Sequence, residues 1–348
     1  MSNPLAVVDI SKPEQEITQH LLDAARNQGF LYIDGHGIPK TQVEKLFKIS
    51  EDFFTNTPEE EKLKYSINPK TNIGYSHFKS ENLDLRKIKD FKEAYNFGYI
   101  DFESGNFNQS KSQYYKDKNI FEEITNPTPQ LFQNPSNSNI LSDTMVRLHR
   151  VARVIMRLIA ASLNIENKNF FTEKLRPKEP NGSTLRLLHY PLIRTDLDGA
   201  DSLDEETLSI RAGAHTDYGA LAMLFQKQGQ QGLQLQLNGN NPAEWTNVPY
   251  IETSHEGMAA PLVINFGDLL NFWTQGILKS TVHRVKFKAG ENRNSDRYSI
   301  VFFVHPEFDT LLEPVPSDIV KKASNGKSIP QMTALEHLQK RLKETYNW

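Results

Sequence analysis

The sequence predicts an α+β protein with a mainly β core, a sandwich or barrel of the jelly-roll kind flanked by helices. Residues 183–304 break into short apolar or alternating segments separated by polar turns: Thr184–Tyr190, Ala220–Phe225, Leu233–Leu237, Leu262–Phe266, Thr281–Lys288 and Arg297–Val304. Short strands at such intervals are the mark of an antiparallel sheet folded onto itself. Leu141, Met145, Leu148, Ala152, Ile155 and Ile159 recur at steps of three and four, which gives a helix with one buried face. The N-terminal stretch alternates strand and helix signals.

In chain order, Val7–Ile10 reads as a short strand, and Lys12-Pro13 opens a helix running to about Asn27. Gly29–Ile33 reads as a strand, ended by the turn residues of Gly35-His36-Gly37-Ile38-Pro39. A second helix is expected over Lys40–Phe54, and Thr57-Pro58-Glu59-Glu60 has the composition of a helix start. Residues 105–139 are rich in Asn, Gln, Ser and Pro. They predict a loop or insertion and a candidate lid, because long loops in compact domains tend to be functional. A closing helix is expected over Gln331–Tyr346. The expected organisation is therefore an N-terminal α+β region (1–104), the insertion (105–139), a long packing helix and connection (140–180), a jelly-roll core (181–310) and a C-terminal helical segment (311–348).

A chain of 348 residues can bury a large core. The absence of cysteine excludes disulfides, thiolate nucleophiles and zinc–thiolate sites, so any metal must be held by nitrogen and oxygen. A net charge of -3 gives no reason to expect nucleic acid or an anionic membrane as partner. The apolar stretch Val151–Leu163 is interrupted by Arg153 and Arg157 and is too short to span a bilayer. No leader is apparent at Met1–Val8, so a cytoplasmic location is expected.

The chemistry concentrates in His215-Thr216-Asp217, His283 and Arg297-Tyr298-Ser299. Side chains two apart on a strand share a face, so His215 and Asp217 are expected to grip one ion together. His283, on a later strand, completes two imidazoles and one carboxylate. That set leaves the opposite coordination positions free, which suits oxygen-activating non-haem Fe(II). Arg297 and Ser299 repeat the spacing, and a planar guanidinium holds a carboxylate through two parallel hydrogen bonds. Gly213 and Gly219 flank the triplet, as expected where backbone approaches a ligand closely. His20, His36, His149, His255, His305 and His337 are read as surface or structural. His189, beside Tyr190 on a strand, is open to either reading.

These motifs resemble those of the isopenicillin-N-synthase-like family of Fe(II)- and 2-oxoglutarate-dependent dioxygenases, over nearly the whole chain. Gly29-Phe30-Leu31-Tyr32-Ile33, His36-Gly37-Ile38-Pro39, Phe53-Phe54, Gly74-Tyr75 and Lys92-Glu93 are similar to its N-terminal region. His215-Thr216-Asp217, Gly232-Leu233-Gln234, Asn265-Phe266-Gly267-Asp268, His283-Arg284-Val285 and Arg297-Tyr298-Ser299 are similar to its catalytic core.

The resemblance implies a double-stranded β-helix, a cupin-like jelly roll. It implies Fe(II) bound by His215, Asp217 and His283, and 2-oxoglutarate bound by Arg297, Ser299 and Tyr190, with Leu188 where the family has an asparagine. Molecular oxygen would be consumed with release of succinate and CO2. Asn265 and Asp268 read as turn and fold residues. Within the family the chain is most similar to fungal thymine 7-hydroxylase-like members. That implies a small-molecule substrate, a pyrimidine base such as thymine, held by Arg186, Tyr218 and Phe303. Ser183-Thr184 stands where those members carry an asparagine. Arg186 is equally open to a structural salt bridge. The alternatives are a related iron oxidase using another carboxylate ligand, and a non-catalytic binding protein on the same fold.

Overall fold

A computed structural model describes residues 3–69, 71–83, 89–107, 128–193, 203–239, 241, 243–287, 296–325 and 330–346. In chain order the elements are β1 (Val7–Asp9), α1 (Glu14–Asn27), β2 (Phe30–Asp34), α2 (Lys40–Asn56), α3 (Glu59–Leu63), β3 (Gly74–Ser76) and β4 (Glu93–Phe97). Then come α4 (Gln130–Gln133), α5 (Pro135–Ser162), β5 (Thr184–Tyr190), α6 (Glu205–Ser209), β6 (Ile210–His215), β7 (Leu221–Phe225), β8 (Leu233–Leu235) and β9 (Thr246–Asn247). The chain continues with β10 (Leu262–Phe266), α7 (Asp268–Trp273), β11 (His283–Lys286), β12 (Arg297–Val304), α8 (Asp318–Ala323) and α9 (Ala334–Tyr346).

The strands form an eight-stranded sheet, ordered β1-β2-β10-β7-β12-β5-β4-β3, and a four-stranded sheet, ordered β6-β11-β8-β9. Apart from the parallel β1–β2 pair, the pairings between these strands are antiparallel. Alternation along the strands of the large sheet sorts its residues into two layers. Tyr298, Ile300, Phe302 and Val304 of β12, with Leu185 and Leu187 of β5, pack against the apolar faces of α1, α2 and α5. The intervening residues, Val301 of β12 and Leu188 and Tyr190 of β5, face the small sheet and meet Ala212, Leu233, Leu235 and Val285. Because both faces are buried, β2, β7 and β10 read as near-continuous apolar runs.

Helix α5 begins earlier than its apolar periodicity. Asn134 accepts a hydrogen bond from the Ser136 amide (3.0 Å) and Pro135 occupies the first turn, so a cap and a favourable N-terminal proline extend the helix upstream. With α4, this makes much of 130–139 helical and corrects the expectation of an irregular loop there. Phe132 of α4 packs among Phe53, Tyr95 and Phe97. Residues 108–127, the middle of the expected lid, lie outside the described residues. Arg153 leaves the polar side of α5 to donate to the carbonyls of Thr172 and Leu175 (2.8 and 2.6 Å).

Candidate metal centre and cosubstrate pocket

His215 ends β6 and stands directly opposite His283, the first residue of β11. Their ring centroids lie 4.3 Å apart. The chain leaves the sheet after His215, so Asp217 is not on the strand, as the two-residue spacing had suggested. It sits in a turn held by the Asp268 amide, which donates to the Asp217 carbonyl (2.7 Å). A side chain at Gly267 would come within 2.3 Å of the Gly219 carbonyl and 2.9 Å of the Asp217 carbonyl. Convergence of His215 and Asp217 therefore comes from close packing of this turn on the start of α7. Gly219 itself packs against the Val304 carbonyl and His305, so the close approach there is to protein.

One ligand atom from each of His215, Asp217 and His283 lies within 4.8 Å of the others. Nε2 of His215 and of His283 are 3.9 and 3.7 Å from Asp217 Oδ1. Each Nδ1 faces a backbone carbonyl, Gly213 for His215 (2.8 Å) and Thr281 for His283 (3.1 Å). That pairing places the proton on Nδ1 and turns the Nε2 lone pair inward, as metal-ligating histidines require. Burial, reinforced by the neighbouring His283, holds His215 well below the ordinary histidine range, so its ring is neutral. Asn265 donates to Asp217 Oδ2 (2.6 Å), leaving Oδ1 directed at the two histidines. Asp268 accepts from Thr216 (2.9 Å), from Ser280 (2.7 Å) and from Arg341 of α9 (2.9 Å). Read from sequence as fold residues, Asn265 and Asp268 brace the cluster. Their signal was the motif Asn265-Phe266-Gly267-Asp268 itself.

Arg297 opens β12, opposite Tyr190 of β5 in register. Its Nε donates to the Gln230 carbonyl (2.8 Å), its Nη1 to Ser299 Oγ (3.3 Å), and the guanidinium lies 4.8 Å from the Tyr190 ring centroid. It is 3% exposed, and no carboxylate pairs with it among the described residues. Desolvation pulls its pKa down. A buried cation without an anionic neighbour is costly, and an incoming carboxylate would relieve it.

Arg186, Tyr218 and Phe303 border the same cavity as the His–Asp–His cluster and Arg297. Arg186 has the acid partner that its position demanded: Glu81, which also pairs with Lys92 (3.2 Å) and accepts from Ser76 (2.7 Å). Burial pushes the Glu81 pKa up, but Arg186, Lys92 and these hydrogen bonds outweigh it and hold the group ionised. The Tyr218 ring carries the guanidinium of Arg341, 4.9 Å from its centroid. Leu335, Leu338 and Leu342 of α9 close another wall. His189 resolves the other way: it points to the helix side, stacked on Phe54 and Tyr298, between Glu93 (2.7 Å) and Asp296 (3.1 Å).

The two sheets, with a His–Asp–His cluster that could hold a metal ion and a buried guanidinium lining the same cavity, fit the scaffold of a metal-dependent oxygenase. The chain belongs to the 2OG-Fe(II) oxygenase superfamily, whose model matches residues 183–306, while residues 5–121 match the non-haem dioxygenase in morphine synthesis N-terminal model. It is therefore an oxidoreductase of the Fe(II)-, 2-oxoglutarate- and oxygen-dependent class. It is 31% identical to homoarginine-6-hydroxylase 2-ODD-C23 of Glycine max, over 93% of this chain and 87% of that protein. Clavatol oxidase claD of Penicillium crustosum is 27% identical, with 99% and 98% covered. Among solved structures, a full-length Neurospora crassa protein in complex with alpha-KG superposes with a TM-score of 0.76 at 25% identity, covering 98% of this chain and 96% of that one. No helix among the described residues is long and apolar enough to cross a membrane.

Proposed function

We propose that His215, Asp217 and His283 hold the Fe(II), that Arg297 and Ser299 with Tyr190 hold the distal carboxylate of 2-oxoglutarate, and that a small neutral substrate binds against Arg186, Tyr218 and Phe303. One observation carries the reading: a buried guanidinium, without a carboxylate partner among the described residues, opens on the same cavity as a His–Asp–His donor set. Bound iron, with 2-oxoglutarate and oxygen, supplies the oxidising power, and the cosubstrate leaves as succinate and CO2. The chain's own residues orient and exclude. The carbonyls of Gly213 and Thr281 fix the two imidazoles, Asn265 fixes the carboxylate, and the leucines of α9 give the cavity an apolar wall.

The wall around Arg186 favours a flat, carbonyl-bearing ring such as a pyrimidine base. Glu81 already neutralises Arg186, which weakens any attraction for a substrate carboxylate, and a guanidinium or ammonium substrate would compete with Arg186 and Lys92 for Glu81. Tyr218 and Phe303 supply aromatic surface. The same Neurospora crassa protein has been crystallised with alpha-KG and thymine. The test is succinate formation from 2-oxoglutarate with Fe(II) under oxygen, across a panel of thymine, uracil derivatives and homoarginine, with His215→Ala as the blank. Stimulation by a pyrimidine is expected. Stimulation by homoarginine alone would overturn the neutral-ring reading, and no succinate above the blank would overturn the site.

A further inference from the structure

The antiparallel ladder between β6 and β11 is irregular where it matters most. His283 pairs with His215, but the next partners are Val285 with Ala212, so the register shifts across Gly213 and Ala214. A bulge of this kind re-aims a side chain and leaves backbone groups without a ladder partner. Among the described residues β6 is also an edge strand of the small sheet, with no second strand to take the orphaned groups. The Gly213 N–H is instead taken by Asp90 Oδ1 (2.9 Å), from the segment preceding β4. On its other side the same peptide region offers the Gly213 carbonyl to His215 Nδ1 (2.8 Å).

Asp90 is itself held. Its Oδ2 accepts from Lys92 Nζ (2.6 Å), Lys92 pairs with Glu81 (3.2 Å), and Glu81 pairs with Arg186 in the cavity wall. All three of Asp90, Lys92 and Glu81 are buried, each 4% exposed. Burial disfavours the Lys92 ammonium, but Asp90 and Glu81 outweigh that and keep it charged. Among the described residues the network joins two acids and two bases.

We propose that Asp90 is a positioning residue for His215: by capping the bulge N–H it fixes the Gly213 residue whose carbonyl orients the imidazole, with Lys92 fixing Asp90. The inference rests on His215 being a metal ligand. Partners that orient metal-binding histidines are worth about 10- to 100-fold in metal affinity. Asp90 acts one bond further out, so the low end of that range applies.

The experiment is Co(II) binding to the metal-free full-length protein, followed by titration and by the ligand-field spectrum, alongside a thermal melt. Asp90→Ala should bind Co(II) about tenfold more weakly and show an altered spectrum, while Asp90→Asn, whose amide oxygen still accepts from Gly213, should recover affinity to within about threefold of the parent. Should Asp90→Ala not fold, the double variant Asp90→Leu/Lys92→Met removes the pair as a neutral unit. It leaves Glu81 and Arg186 balanced and still deprives Gly213 of its acceptor, so the same tenfold loss is expected. A folded Asp90→Ala or double variant with parental affinity and spectrum would overturn the positioning role. The parent binding Co(II) no better than His215→Ala would instead overturn the metal-site reading on which it rests.

Discussion

Replacing Arg297 by methionine tests the cosubstrate site most directly. The side chain is buried, its guanidinium is anchored by Gln230 and Ser299, and no acid among the described residues neutralises it. Truncating one partner of a buried, hydrogen-bonded charge pair costs about 2–5 kcal/mol. At about 1.4 kcal/mol per factor of ten, the apparent affinity for 2-oxoglutarate should fall between about 30-fold and a few thousand-fold. Succinate formation titrated against 2-oxoglutarate reads this directly. A melt with redox-inert Mn(II) gives a second reading, because a ligand at about 100 times its dissociation constant stabilises the folded state by about 2.7 kcal/mol. The parent should show that shift at a concentration where Arg297→Met shows at most about a third of it, while both bind Mn(II) alike. A rise in the 2-oxoglutarate requirement below about threefold, or an equal melting shift in both proteins, would refute the assignment of the carboxylate to Arg297.

Other outcomes follow from the same geometry. His215→Ala and Asp217→Ala should each abolish iron-dependent succinate formation while the far-ultraviolet circular dichroism spectrum stays parental; full activity in either would remove the residue from the metal site. Asn265→Leu deletes the 2.6 Å hydrogen bond to Asp217 Oδ2 and should weaken Fe(II) binding by about tenfold, measured by metal titration; an unchanged affinity would leave Asn265 a fold residue. His189 supplies a pH signature. Burial alone would lower its pKa, but the contacts with the Asp296 and Glu93 carboxylates outweigh it and the folded value is raised. Its contribution to stability is thus complete below the unfolded pKa of about 6.5 and is lost as pH rises through the raised folded value. The melting temperature should fall across that window, and the fall should flatten in His189→Gln; an identical pH slope in both proteins would discount the network.

Much of the site is legible because its residues lie close together in sequence or begin strands. His215 with Asp217 and Arg297 with Ser299 advertise themselves by spacing and His283 by its strand pattern, and the register that sets Arg297 against Tyr190 follows from two clear strands. What sequence spacing misread is the means of convergence. Asp217 reaches the histidines from a turn packed on Gly267, a contact about 50 residues away that no local pattern announces. Strand β4 is hidden for a different reason: Glu93 and Asn96 make it look polar, yet Glu93 pairs with Lys62 and His189, and the Asn96 amide donates to the Asn72 carbonyl. Arg186 raised the right question, since an inward-facing arginine needs an anion, but the sequence offers many acids and only the fold selects Glu81.

The ion network has a consequence for recombination between relatives. Glu81, Asp90 and Lys92 come from the N-terminal third of the chain, whereas Arg186 and Gly213 belong to the jelly roll. The two segments therefore share one electrostatic ledger across a seam that sequence boundaries suggest could be cut. A chimera taking its N-terminal segment from a relative with an apolar residue at position 81 would leave Arg186 facing Lys92 without their common acid, and breaking a buried pair in this way costs about 3–5 kcal/mol. Functional hybrids must inherit the acids at 81 and 90 with the arginine at 186, as one linked set.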